Sequence, residues 1–169
     1  MKWVYLFLAA LFTSIMLLSG CSQTAEKHHG DSKTHHISNN ILDEMEGPPK
    51  NGHTLARHVG KSDHELEARI RKDHISAAST YYDKETATKA VQEALRIHDK
   101  KINNWLNHSN RNRLVLKTHH SFAVGKAVLR SDMEVHPQLH DTITVLQKDP
   151  SGKLGYKIIT SYPTVKAGR

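Results

Sequence analysis

Thr142-Ile143-Thr144-Val145-Leu146-Gln147 alternates polar and apolar residues, and Gly155-Tyr156-Lys157-Ile158-Ile159-Thr160-Ser161-Tyr162 repeats the pattern shortly afterwards. A period of two marks a strand with one buried face. Between the two runs, Asp149-Pro150-Ser151-Gly152-Lys153 is turn chemistry, so the pair reads as an antiparallel hairpin. Upstream, Phe122 to Leu129 and the short Leu114-Val115-Leu116 extend the same character. Everything after Arg113 therefore reads as β.

Before Arg113 the period changes to that of a helix. Asp83 can cap a helix with Thr86 in its first turn, and apolar residues recur from Ala87 through Leu95, Ile102, Trp105 and Leu106. That spacing predicts one long amphipathic helix, closed by the turn residues Asn107 to Asn112. Ile75 to Tyr82 is rich in small and hydroxylated residues and reads as a connection. Two short helices fill His53 to Asp73, divided at Val59-Gly60-Lys61. Ser62 and Glu65 have the spacing of a capping box, which puts Leu66 and Ile70 on one core-facing side. Helices first and an antiparallel sheet afterwards predict an α+β domain.

The chain begins with an address. Met1-Lys2 is positive, Trp3 to Leu17 is almost wholly apolar, and Leu18-Ser19-Gly20-Cys21 reads as a lipobox. Residues 1–20 are expected to be a lipoprotein signal peptide, with Cys21 as the lipidated residue at an extracytoplasmic membrane face. An ordinary signal peptide with an incidental cysteine is the competing reading. Cys21 is the only cysteine among 169 residues, so no disulfide within the chain can support the domain.

Residues 21–50 then read as a flexible, His-rich linker ending in Gly47-Pro48-Pro49, although Ile41 to Met45 could form a turn that docks on the domain. Its pairs His28-His29 and His35-His36 could bind a metal ion, but a solvated tether explains them as well. No metal or cofactor is expected. Residues 51–169 have length enough for one domain, expected to be a monomer. The linker is acidic, with two Lys against five Asp and Glu, and the chain from Lys50 onward carries 21 Lys and Arg against 12 Asp and Glu. That excess of nine positive charges suits a polyanionic partner such as RNA, DNA or anionic lipid. No glycine-rich phosphate loop, zinc-finger spacing or nucleophile elbow is present.

Within His53 to Arg71, a titratable imidazole at His58 and a guanidinium at Arg69 on a capped helix suit phosphate chemistry. His53-Thr-Leu-Ala-Arg-His-Val-Gly-Lys61, the Ile75-Ser-Ala-Ala-Ser-Thr80 stretch and the closing Gly155-Tyr156 and Thr160-Ser-Tyr-Pro163 carry a resemblance. They resemble the bacterial RNase A-like toxin domain found at the C-terminal end of contact-dependent growth-inhibition proteins. The likeness covers nearly all of Gly52 to Thr164. It implies a pancreatic-ribonuclease-like fold without disulfides, metal-independent RNA cleavage and neutralisation by an immunity protein. Residue by residue, it implies that His58, Arg69, Thr160 and Tyr162 are the catalytic set. His53 falls on a family position but reads as structural, a cap for the first helix. Each residue also has a plain reading: a solvated arginine, a strand-forming threonine, a core tyrosine with a wet hydroxyl.

Two functions follow as expectations. The first is a membrane-anchored ribonuclease that forms a 2′,3′-cyclic phosphate by 2′-hydroxyl attack, acting as a toxin effector or, while tethered, as a scavenger of extracellular RNA. The second is a catalytically weak binding module that uses the same basic face to hold RNA or other polyanions. Tyr162 is the family-consistent second proton carrier, and His119-His120 is a local alternative.

Overall fold

A computed structural model of the chain describes residues 37–165. The signal segment, Cys21 and the histidine pairs lie outside the described residues. Five helices and six strands follow in chain order: α1 (Ile41–Met45), α2 (Thr54–His58), α3 (Asp63–Asp73), β1 (Ala77–Tyr81), α4 (Lys84–Ile97), α5 (Asp99–His108), β2 (Arg113–His119), β3 (Gly125–Leu129), β4 (Val135–Leu139), β5 (Asp141–Lys148) and β6 (Tyr156–Thr164). The strands form two antiparallel three-stranded sheets, ordered β1-β3-β4 and β2-β5-β6. The α+β class and the terminal hairpin are as expected. Lys148 pairs with Tyr156 across the loop at Asp149 to Gly155.

Several elements differ from the sequence reading, each for a local reason. Ile75 to Tyr82 is not a plain connection, because β1 lies within it and pairs with β3 along its whole length. Its small side chains let it run buried between neighbours: Ala78, Ser79, Thr80 and Tyr81 are all inside. The predicted long helix breaks at His98, whose N–H caps α4 by donating to the Ala94 and Arg96 carbonyls. The His98 carbonyl then accepts from Ile102 N–H and starts α5. Apolar spacing carries across this break, so periodicity alone does not reveal it. Leu114-Val115-Leu116 is only the middle of β2, and Phe122 and Ala123 precede β3. β4 contains Pro137 and sits at a sheet edge, where a residue without an N–H is tolerated.

The packed interior reaches upstream of residue 51. Ile41, Leu42 and Met45 of α1 join Ala87, Val91, Leu95, Ile102, Trp105, Leu116, Leu146 and Ile158 in the main core. Each large side chain buried there contributes about 1.5–3 kcal/mol relative to exposure. A second cluster joins Leu66 and Ile70 of α3 to Ala78 and Val128 on β1 and β3. It fixes α3 against the first sheet. Gly125 allows β3 to pass close to both neighbours, since a Cβ there would run into the Thr80 carbonyl and lie 2.9 Å from the Pro163 ring.

Candidate active site

α2 is only five residues long, too short to stand by its own hydrogen bonds, and the tertiary structure holds it. The expected cap, His53, occupies the N-cap position but makes no side-chain cap. Glu46 does that work: its carboxylate accepts from Leu55 N–H at 2.9 Å and Ala56 N–H at 2.8 Å. His53 N–H donates to the Ile159 carbonyl, and Ser161 N–H donates to Thr54 Oγ1 at 2.9 Å. Both bonds tie α2 to the last strand. At its other end, Gly60 takes a positive φ of 65° and donates its N–H to the Tyr81 carbonyl. His58 is thus pinned between β1 and β6.

β6 aims the other half of the site. Between the pairs Val145–Thr160 and Leu146–Ile158 the register shifts, leaving Ile159 as an extra residue on β6. Strict alternation would place Thr160 and Tyr162 on the same face as Tyr156 and Ile158, which are core residues. The bulge reverses the parity. Ser161 now turns inward, bonded to Tyr81 Oη at 2.7 Å and Thr144 Oγ1 at 2.8 Å. Thr160 and Tyr162 face a cleft instead.

That cleft has a volume of about 640 Å³ and is lined by His53, Arg57, His58, Arg69, Thr160 and Tyr162, with β1 forming one wall. All four residues of the implied catalytic set therefore share one hollow. The His58 ring stacks on Tyr162 with centroids 5.1 Å apart and an interplanar angle of 28°. His58 Nδ1 lies 3.3 Å from the Ser79 carbonyl oxygen, which can only accept, so Nδ1 carries the proton and Nε2 has the free lone pair. Burial lowers the His58 pKa to about 4, helped by the positive charge of Arg69 and opposed by the Ser79 bond. Near neutrality the ring is an uncharged base. Burial and then Arg57 also lower the His53 pKa, while Glu46 pulls it up.

Arg69 is carried on α3, whose capping box is complete: Glu65 N–H donates to Ser62 Oγ, and Ser62 N–H donates to Glu65 Oε2. Its guanidinium is oriented at both edges, by the Arg57 carbonyl at 3.4 Å from Nη1 and by Asp73 at 3.5 Å from Nε. Thr160 Oγ1 is buried without a hydrogen-bond partner, as is Thr118 Oγ1 on β2. An unpaired buried hydroxyl costs about 1–3 kcal/mol. In Thr160 the cost falls on a residue lining the cleft.

His119 and His120 do not join this group. His120 is fully buried between Glu93, 2.6 Å from its Nδ1, and Thr142, 2.9 Å from its Nε2. His119 pairs with Asp141 at 2.9 Å. Neither lines the cleft, so the local alternative for a second proton carrier is withdrawn. Two residues enter instead, Arg57 and His53. Arg57 had a signal in sequence, since it directly precedes His58. His53 also had a signal, its place on a family position, but there it reads as a structural cap, and it holds the N-cap position without a side-chain cap. Among the described residues, no group of three or more His, Cys, Asp or Glu side chains is arranged to hold a metal ion.

Residues 52–163 match the family model described as the Bacterial CdiA-CT RNAse A domain. The fold is similar to a solved chain in the crystal structure of a CdiA-CT/CdiI complex from Y. kristensenii 33638. The TM-score is 0.64 at 33% sequence identity, over 67% of this chain and 99% of that one. No curated protein sequence matches the chain.

Proposed function

This chain belongs to the bacterial CdiA-CT RNase A domain family, and from that membership we propose that it is a metal-independent endoribonuclease acting by 2′-hydroxyl attack. The observation that carries the reading is the convergence of His58, Arg69, Thr160 and Tyr162 on one cleft from opposite ends of the domain. In the proposed reaction, His58 Nε2 takes the proton of a ribose 2′-hydroxyl. The freed oxygen attacks the adjacent phosphorus, the P–O5′ bond breaks, and a 2′,3′-cyclic phosphate and a 5′-hydroxyl result. The Tyr162 hydroxyl supplies the proton to the departing 5′-oxygen and is left as phenolate, and the proton held by His58 imidazolium passes through solvent to restore it.

The negative charge of the phosphoryl oxygens is met by Arg69, with Arg57 beside it. Thr160 Oγ–H, otherwise unpaired, donates to the same oxygens. The basic balance of the domain draws the polyanion in. A toxin role follows the family, and the CdiA-CT/CdiI neighbour suggests a cognate immunity protein as partner. At the membrane, a chain anchored through Cys21 would meet extracellular RNA directly, or would reach another cell after cleavage of the segment upstream of Ile37.

The test is cleavage of end-labelled RNA in EDTA by the purified full chain. Wild type should leave 2′,3′-cyclic phosphate ends on RNA and no product on DNA. His58→Ala and Arg69→Ala should each lose about 10²–10³ in rate. Thr160→Val should lose rate while leaving stability unchanged or raised by about 1 kcal/mol, because it deletes an unsatisfied hydroxyl. Equal rates in wild type, His58→Ala and Arg69→Ala would remove the proposal.

A further inference from the structure

A second hollow, of about 410 Å³, is lined by Arg57 and Arg69 like the reaction cleft, and by further residues of α2 and α3. Lys61 and Lys72 also line it, together with Ala56, Leu66 and Ala68. Arg57 and Arg69 line both hollows, so the two share a cationic ridge. The two carboxylates at this groove are already engaged. Glu65 closes the capping box with Ser62, and Asp73 faces Arg69. Among the described residues, Arg57, Lys61 and Lys72 form no ion pair. Four cations against two occupied carboxylates leave a concave surface that favours a phosphate.

We propose that this groove between α2 and α3 is a second phosphate subsite, holding the RNA backbone next to the scissile phosphate. The inference rests on the ribonuclease reading and extends it, since it sets how much of a strand the protein grips. The shared ridge explains why the two sites act on one polyanion: a backbone seated on Arg69 in the cleft continues over Arg57 to Lys61 and Lys72. With Glu65 and Asp73 engaged, the polar groups left in the lining are cations suited to phosphate oxygens. The subsite therefore adds affinity without sequence preference.

The experiment compares wild-type full chain with a Lys61→Ala/Lys72→Ala double variant on two substrates. A dinucleoside monophosphate contains only the scissile phosphate, and a hexaribonucleotide has phosphates to spare. The double variant should raise KM on the hexamer about tenfold, lower the salt slope of binding by about 1–2, and leave dinucleotide cleavage unchanged. A Lys100→Ala/Lys153→Ala control removes equal charge elsewhere and should change neither. Affinity for a 2′-deoxy hexanucleotide, which cannot be cleaved by this route, is read in parallel and should fall with the groove variant alone.

Unchanged hexamer KM and unchanged deoxy-hexamer affinity in an active enzyme would overturn the subsite, as would equal loss with the control pair. A wild type that cuts no RNA, yet loses deoxy-hexamer affinity on the groove substitutions, would overturn the ribonuclease reading and support the subsite.

Discussion

His58 is a base built by removal from water. The residue is 7% exposed, its ring stacked on Tyr162 and held by the Ser79 carbonyl. Its pKa stands at about 4 against an ordinary 6.5, so the unfolded chain takes up this proton first as pH falls. The sign follows: where the unfolded state binds more protons, stability rises with pH. The contribution of a neutral His58 is complete above pH 6.5 and is lost progressively down to about pH 4. Its full size is about 3 kcal/mol. Denaturant titrations at pH 7 and pH 4 should show wild type losing more stability between them than His58→Gln, by an amount of that order. Equal losses would mean that the ring is not desolvated as described. The same burial predicts an acid limb of kcat/KM well below the usual histidine range.

Elements decide where such residues point, and here sequence was a partial guide. The capping box at Ser62 and Glu65 was legible because it is local, and with it came α3 and the placement of Arg69. The hairpin was legible because alternation and turn residues agreed. The bulge at Ile159 was not, since the adjacent Ile158 and Ile159 interrupt the alternation without saying which residue is extra, and that is defined only by the pairing with β5. Thr160 and Tyr162, two apart on a strand, share a face by alternation alone, yet only the bulge makes that face the cleft. β1 was not legible because small hydroxylated residues resemble a loop until the pairing with β3 is known. The cap of α2 was likewise invisible, because Glu46 acts from outside the motif. Replacing Glu46 with Ala should cost about 0.5–2 kcal/mol of stability, with Glu46→Gln keeping part of it through its remaining oxygen. Since α2 carries His58, activity should fall alongside. Thermal melts of the two variants check the order wild type, Gln, Ala.

At the scale of the whole molecule, the site exists only when the first helices meet the last strand. That closure rests on backbone bonds from His53 to Ile159 and from Ser161 to Thr54, and on the interior packed around α4 and α5. No covalent link can assist, because Cys21 is the only cysteine. The role expected of Cys21 is attachment, and among the described residues the buried interior begins at Ile41. Acyl chains at Cys21 would add membrane affinity of about 0.8 kcal/mol per buried CH₂, without touching the cleft. Cys21→Ala should therefore move the chain from the membrane fraction to the soluble fraction while keeping its melting temperature and its rate on RNA. Reductant should leave the melting temperature of either form unchanged. Retention of the Cys21→Ala chain on membranes would show that the basic surface, and not a lipid, provides the attachment, and added salt should then release it.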